Sequence, residues 1–140
     1  MALADVETNI NTRFGTVATA QGAELIRDND PEPTNPLRPW IKLRISTSTQ
    51  ELLSMGNAST RKWRTQGQAI ADVHVPRGRG TSGEPAPLRE ICAAINTQFR
   101  GVSVASPDVR YMPPSQGELV QGDGWARRTV TVRFTYDEVG

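Results

Sequence analysis

The longest regular pattern in the chain is an alternation of apolar and polar side chains across residues 63–75. The odd positions are apolar or small, whereas most even positions carry charged or amide side chains. A period of two is typical of a strand with one buried side. Similar alternations cover residues 40–47 and 126–136. The sequence therefore predicts three strands that each bury one face.

Two other stretches show helical spacing of their apolar residues. Near the N-terminus these residues are Leu3, Val6, Ile10, Phe14 and Val17, and after Pro85 they are Leu88, Ile91, Cys92, Ile95 and Phe99. Steps of three and four residues predict amphipathic helices. Gly101 is well placed as the C-terminal cap of the second helix, and the first helix is expected to fray before Gly22.

The segments between these elements carry weaker patterns. Residues 23–27, 102–105 and 109–112 have the composition of short strands. Residues 48–60 have no strong pattern, and residues 113–124 are expected to form a flexible loop. A proline-rich connection at residues 28–36 excludes both a helix and a central strand there.

The order of the elements predicts the fold class. Helix, strands, helix and strands in succession indicate one α+β domain over residues 1–140, with a mostly antiparallel or mixed sheet of four to six strands. We expect both helices on one face of that sheet. The other face would carry Lys42, Arg44, Arg64, Gln66, Gln68, Arg127, Thr129, Thr131 and Arg133. Such a face is either solvated or covered by a neighbour.

Charge and composition narrow the function. A net charge of +1 argues against a generic nucleic-acid binder, which would show a strong basic excess. No apolar run approaches the roughly 18 residues of a membrane span. The single cysteine, Cys92, lies on the apolar stripe of the second helix, where we expect a buried thiol. These features are typical of a soluble protein from a reducing compartment.

The charges are distributed unevenly along the chain. Acidic residues cluster between Glu24 and Glu32, including Asp28 and Asp30. The basic residues that follow include Arg44, Arg61 and Arg64. This asymmetry is consistent either with ordinary solvated surface or with the two sides of a contact between subunits.

The glycine-rich loop after the long strand resembles a dinucleotide-binding motif. Residues 78–83 read G-x-G-x-x-G, between a strand and a helix. However, Pro85 and Pro87 place the start of the helix beyond the third glycine, so the helix N-terminus cannot meet a pyrophosphate as the motif requires. We interpret the segment as a mobile loop that carries Arg77 and Arg79.

No constellation of residues predicts catalysis. Asp72 and His74 could supply two metal ligands or a base and its partner, but no pattern supplies a third group. We therefore predict no catalytic, cofactor or metal site, and we do not expect an enzyme. Trp63 and Trp125 lie on strands beside arginines, as in a nucleic-acid platform, but they are interpreted mainly as core residues.

Several segments of local sequence carry a family resemblance. They are an N-terminal helix ending in Arg13-Phe14, the entry Pro39-Trp40-Ile41, the strand end Val73-His74-Val75-Pro76, the helix end from Ile95 to Gly101, and the final strand ending Tyr136-Asp137-Glu138. In this order, the chain resembles the tail terminator, or tail-completion, proteins of long-tailed bacteriophages and related tailed particles. The resemblance covers nearly the whole chain and rests on segment order rather than on a catalytic motif.

The resemblance implies a structural virion protein. Such a subunit forms a homohexameric ring on the head-proximal end of the tail tube, ends tube polymerisation and contacts the head-completion or neck proteins. Genome DNA passes through the bore without sequence-specific binding, and assembly takes place in the host cytoplasm. The resemblance implies no cofactor and no membrane.

A closed ring needs two different patches of one chain to meet. We expect Glu24, Asp28 and Asp30 on one patch and Arg44, Arg61 and Arg64 on the other. Arg77 and Arg79 are expected to contact the adjacent subunit, the tube or the bore. Two alternatives remain open: another head-tail joining subunit, and a small nucleic-acid-binding domain.

Overall fold

A computed structural model describes residues 2–27, 38–52, 62–76, 85–104, 109–122 and 124–139. Within these residues the chain forms two helices and eight strands. In chain order they are α1 (Ala2–Gln21), β1 (Glu24–Arg27), β2 (Trp40–Leu52), β3 (Lys62–Pro76), α2 (Ala86–Phe99), β4 (Ser103–Val104), β5 (Val109–Tyr111), β6 (Ser115–Gln116), β7 (Val120–Gly122) and β8 (Trp125–Val139). The predicted α+β class is confirmed.

One mixed sheet contains all eight of these strands: six follow the order β1-β2-β3-β8-β5-β4, and β6 and β7 each pair with β8. Only β1 and β2 are parallel, and the other strand pairs are antiparallel. The pairing of β3 with β8 is continuous from Lys62↔Val139 to Pro76↔Trp125. Because this central pair is long and regular, its register determines which side chains of β3 and β8 lie next to one another.

Both helices pack on one face of this sheet and build the core with it. The apolar stripe of α1 is buried at Val6, Ile10, Phe14 and Val17, and that of α2 at Leu88, Ile91, Cys92, Ile95 and Phe99. The sheet residues of the cluster are Ile41 and Leu43 of β2, the alternate residues of β3 from Ala69 to Val75, Val109 and Tyr111 of β5, and Ala126, Val130, Val132, Phe134 and Tyr136 of β8. Full burial of one large apolar side chain contributes about 1.5–3 kcal/mol, so this cluster holds the layers together.

A close contact shapes the inner face of the sheet at Gly67. Phe134 is its register partner on β8, and the ring covers the glycine. A Cβ atom at Gly67 would lie 2.6 Å from Phe134 Cζ and 2.6 Å from the backbone oxygen of Ser46. This position therefore requires glycine, because there is no room for a Cβ atom between the Phe134 ring and the backbone of Ser46.

The structure confirms most of the predicted elements near their expected bounds. Helix α2 begins at Ala86 with Pro85 at its N-cap, beyond the glycine motif as expected. Gly101 follows the C-cap residue Arg100 with φ +66, the left-handed conformation that glycine adopts without strain. The predicted short strands at 23–27, 102–105 and 109–112 correspond to β1, β4 and β5.

Two predictions about the loops were wrong. Strand β2 does not end near Thr47; it continues to Leu52 through a bulge between Thr47 and Thr49, which hides its periodicity. The segment 113–124 is not simply a loop, because it contributes β6 and β7, both paired with β8. These short pieces raise the number of described strands to eight, above the expected four to six.

Candidate interaction surface on the open sheet face

The sheet face opposite the helices, here called the open face, is organised in cross-strand rows. The register aligns Trp40–His74–Arg127, Lys42–Asp72–Thr129, Arg44–Ile70–Thr131 and Ser46–Gln68–Arg133 across β2, β3 and β8. Beyond the bulge, the next rows are Thr49–Gln66–Thr135 and Glu51–Arg64–Asp137. The predicted polar face therefore exists, and each row brings together residues from distant parts of the sequence.

Positive charge dominates the described part of the open face. The cationic residues are Lys42, Arg44, Lys62, Arg64, Arg110, Arg127 and Arg133, and the carboxylates are Glu24, Glu51, Asp72 and Asp137. The excess of three positive charges on this face exceeds the net charge of +1 of the whole chain. The near-neutral composition thus conceals a basic surface.

One end of the open face is fixed by Asp137. Its carboxylate accepts hydrogen bonds from Arg64 Nε at 2.9 Å and Arg64 Nη2 at 3.1 Å, and from Arg110 Nη2 at 2.9 Å. Lys62 Nζ lies 3.7 Å away. We call these four residues the Asp137 cluster. Because Asp137 is 2% exposed in its side chain, the cluster ties β3, β5 and β8 together rather than offering a free carboxylate.

Hydrogen bonding in the cluster changes the titration of Asp137. The bonds from Arg64 hold its pKa below the ordinary value, against the opposing effect of burial. The positive charges of Arg64, Arg110 and Lys62 lower the pKa further. Asp137 therefore stays ionised, and it neutralises one of the three cations around it.

The other end of the open face is aromatic. The rings of Trp40 and His74 stack with centroids 3.7 Å apart and planes inclined by 1°. The centroid of Trp125 lies 6.0 Å from that of His74, and Arg127 Cζ lies 6.0 Å from the Trp125 ring. We call these four residues the aromatic end. They form a row of neighbouring rings beside a guanidinium group, with the Trp125 ring tilted by 49° to that of His74.

Packing against a glycine positions Trp125 within the aromatic end. Gly122 on β7 is its register partner, and a Cβ there would lie 2.3 Å from the indole ring. The ring therefore rests on bare backbone, yet Trp125 is 36% exposed and its neighbour Val120 is 39% exposed. This corrects the interpretation of Trp125 as mainly a core residue.

Between the two ends, several cations have no acidic partner. All ion pairs between described residues involve Asp137, so Lys42, Arg44 and Arg133 take part in none of them. Asp72 is the register neighbour of Lys42, but its Oδ1 accepts a 2.6 Å hydrogen bond from Thr129 Oγ1. Arg127 Nε is shielded from solvent and has no hydrogen-bond partner among the described groups. These cations can therefore serve an external anion.

The predicted interface residues have different positions. Glu24 lies on the edge strand β1, in register with Trp40, and Arg44 is exposed on the open face. Arg64 is bound to Asp137 within the chain. Asp28, Asp30, Arg61, Arg77 and Arg79 lie outside the described residues. Within the described ranges the structure therefore does not pair Glu24 with Arg44 or Arg64.

Sequence reasoning missed the residues that organise the face. Asp137 and Arg110 were not assigned, because their contact with Arg64 depends on pairing of β8 with both β3 and β5. Arg128 is a charged residue at an inner-facing position of β8, opposite Val73, and its Nη1 donates a 2.6 Å hydrogen bond to the backbone oxygen of Gly117. Alternation along a strand gives the face of a residue, but not its neighbour on the next strand.

The described residues contain few groups suited to other chemistry. His74 Nδ1 lies 3.3 Å from the backbone oxygen of Asp72, and the Asp72 carboxylate faces Thr129 instead. No group of three His, Cys, Asp or Glu side chains in the described ranges could hold a metal ion. None of the helices described is long and apolar enough to cross a membrane. The glycine motif at 78–83 lies outside these ranges.

Comparison with known proteins supports the fold alone. No known protein family and no curated protein matches the sequence. One solved structure, of a protein that bears only a sequence identifier as its name, superposes with a TM-score of 0.71 at 13% identity. The match covers 97% of this chain and 96% of the other. The whole architecture is therefore similar to that of a solved protein, while its chemistry is not thereby assigned.

Proposed function

We propose that this chain is a tail-terminator-like structural subunit of a tailed particle. It forms a hexameric ring on the head-proximal end of the tail tube, ends tube polymerisation and receives the head-completion or neck protein. In this proposal the chain is part of the virion at the junction of tail and neck. The family resemblance across the chain supports it, and the fold is compatible with it.

One structural observation supports the proposal. The helices cover one face of the sheet, and the other face presents charged and aromatic groups on long paired strands. These groups are organised over a surface rather than around a cavity, which suits contact with macromolecules. The sheet also ends in short edge strands, β1 on one side and β4 on the other. Two different lateral surfaces are what a head-to-tail ring requires.

The first test is the mass of the purified protein by light scattering across protein concentration and salt. The proposal predicts a species near six times the subunit mass of 15.3 kDa. Since the tube could act as a template for assembly, the same measurement is repeated with tail tubes present. A protein that remains monomeric in both conditions would contradict the ring.

The second test is capping of polymerising tail tubes, followed by electron microscopy of tube length and tube ends. Added protein should shorten the tubes and appear as a ring at one end only. A protein that leaves tube length unchanged and binds the portal-side complex would instead be another head-tail joining subunit. A monomer that binds nucleic acid and neither complex would support the small nucleic-acid-binding domain.

A further inference from the structure

We propose that the open face is a phosphate-backbone contact surface for nucleic acid, formed by Arg127, Lys42, Arg44 and Arg133. The inference rests on the proposed function, because it places this face toward the bore through which the genome passes. Beyond the proposed function, the inference identifies which face of the subunit meets the DNA and which residues contact it.

Charge complementarity is the first argument. The described open face carries an excess of three positive charges, and the four proposed contact residues form no ion pair among the described groups. Arg127 in addition has a shielded Nε without a partner in those ranges. Cations left without carboxylates on a strand surface favour a polyanionic partner.

Spacing is the second argument. The four cations occupy four successive cross-strand rows, with Lys42 and Arg44 on β2 in the two middle rows and Arg127 and Arg133 on β8 in the two outer rows. Rows are two residues apart, about 7 Å along an antiparallel strand, so the contacts extend over roughly 20 Å. A DNA strand carries one phosphate per 3.4 Å or so of helix axis, so a surface of this length is long enough to contact several phosphates.

The chemistry of the face indicates contact without sequence reading. Phosphate contacts position a nucleic acid but carry no base information. Thr129, Thr131 and Ile70 lie in the rows of the cations, the Asp72 carboxylate accepts a bond from Thr129, and Gln68 is half-buried. The aromatic end adds rings on which an unpaired base could stack, so duplex and single strand must be compared.

The described helical surface offers no equally basic or acidic counterpart. Its exposed or half-exposed charges balance: they are Asp5, Glu7, Glu90, Arg13, Arg89 and Arg100. A second copy of the chain could therefore not neutralise the open face with its described helices. This favours an external polyanion as the occupant.

The test measures binding by fluorescence anisotropy with a labelled duplex of about 30 base pairs and a single strand of equal length, from about 50 to 200 mM salt. The wild type is compared with Arg44→Glu/Arg133→Glu. The matched control is Arg89→Glu/Arg100→Glu, which reverses two charges on the helical side. Light scattering and thermal unfolding of every variant establish that assembly and folding are intact.

We expect the wild type to bind with an affinity that falls about 100-fold over this salt range, since four phosphate contacts give a steep slope. Arg44→Glu/Arg133→Glu should weaken binding at least tenfold and flatten the salt dependence, while the control retains wild-type binding. Equal effects on duplex and single strand identify the backbone as the ligand in both. Weakening by Trp125→Ala on the single strand alone would add base stacking at the aromatic end.

Other results would overturn the inference. If the protein forms rings and caps tubes but binds neither probe at about 50 mM salt, the surface is not a nucleic-acid contact, although the proposed function stands. If Arg44→Glu/Arg133→Glu abolishes the ring instead of DNA binding, the face is an interface between copies. If these substitutions abolish DNA binding but wild-type protein neither forms rings nor caps tubes, the contact surface stands and the proposed function fails.

Discussion

The two faces of the central sheet are built from the same three strands but are organised by different forces. On the inner face, alternate residues of β3 and β8 are buried against α1 and α2, and the interactions are apolar and close-packed. On the open face, the residues one position away on these strands, together with Glu24 of β1 and Arg110 of β5, supply seven cations and four carboxylates. Stability therefore depends mainly on one face, while the groups available to partners lie on the other.

The comparison predicts that equal chemical changes will have unequal consequences on the two faces. Truncation on the inner face leaves a cavity in a packed layer, so its cost appears in folding. Charge changes on the open face act in a more polar environment and are screened, so most of them should alter binding more than stability. The Asp137 cluster is the exception, because it buries a carboxylate among cations on the open side.

The largest effect is expected for Phe99→Ala. Phe99 is fully buried at the end of α2, with its ring centroid 5.1 Å from that of Phe14 and 4.9 Å from that of Tyr111. Removing the ring should lower the free energy of unfolding by about 3–5 kcal/mol, measured by chemical denaturation. Met112→Ala is the control, because Met112 is 47% exposed. A similar loss in both variants would contradict the contrast between the faces.

The next effect is expected for Asp137→Asn, which leaves the cations of the Asp137 cluster without their counter-charge. Breaking a buried ion pair costs about 3–5 kcal/mol, but the side chains of Arg64, Lys62 and Arg110 are 30%, 47% and 51% exposed. Solvent screening should therefore reduce the loss to roughly 2 kcal/mol. Glu51→Gln is the control on the same row and should change stability by less than about 0.5 kcal/mol.

Acid should remove the difference between Asp137→Asn and the wild type. The pKa of Asp137 is lowered in the folded protein, so the stability that its charge contributes is present above the unfolded value of about 3.9 and is lost as pH falls through the folded pKa. Denaturation curves should differ by a constant amount above about pH 5 and converge below about pH 3.9. A gap that persists at lower pH would assign the effect to packing instead.

The inner and open positions of the long strands could be predicted from the sequence, whereas some strand bounds could not. Alternation gave the inner and outer positions of β3 and β8 because each strand keeps its period of two over its full length. It failed in β2 beyond Thr47, where one extra residue in the bulge shifts the pattern. It also failed for β6 and β7, since two or three residues carry no measurable period.

The open face could be listed from the sequence, but its contacts could not be predicted. Arg64 and Asp137 are far apart in the chain and meet only because β3 and β8 pair in one register. Trp125 appeared to be a core residue because its exposure depends on Gly122 passing beneath its ring. Pairings across strands and glycine contacts are tertiary properties, so a pattern along one segment does not contain them.

A smaller effect is expected for two glycine-to-alanine substitutions, which should change stability in opposite directions because only one of the two sites lacks space for a Cβ atom. At Gly67 on the inner face, a new Cβ would lie 2.6 Å from a backbone oxygen that cannot move freely, so Gly67→Ala should destabilise the fold by about 1–3 kcal/mol. At Gly15 inside α1, no atom lies within 4 Å of such a Cβ. Gly15→Ala should therefore stabilise the protein by about 0.5–1 kcal/mol. Changes of the same sign in both denaturation curves would refute this account.

The smallest effect is expected at a polar group buried within the inner layer. Tyr111 Oη donates a 2.5 Å hydrogen bond to Asn9 Oδ1, which also accepts a bond from Arg13 Nε at 3.0 Å. Tyr111→Phe should cost about 0.5–1.5 kcal/mol in denaturation at neutral pH, because one hydrogen bond is lost and the ring stays. A loss as large as that of Phe99→Ala would mean that the hydroxyl group organises the layer.

Tyr111 also makes the stability of the protein depend on pH in the alkaline range. Burial raises the pKa of Tyr111 to about 12, although the charge and hydrogen bonding of Arg13 oppose this shift. An unfolded tyrosine ionises near pH 10, so the stability linked to Tyr111 should be present below about pH 10 and should fall between about pH 10 and 12. Denaturation of the wild type should show this decline, and Tyr111→Phe should show less of it. Equal declines would place the alkaline sensitivity elsewhere in the protein.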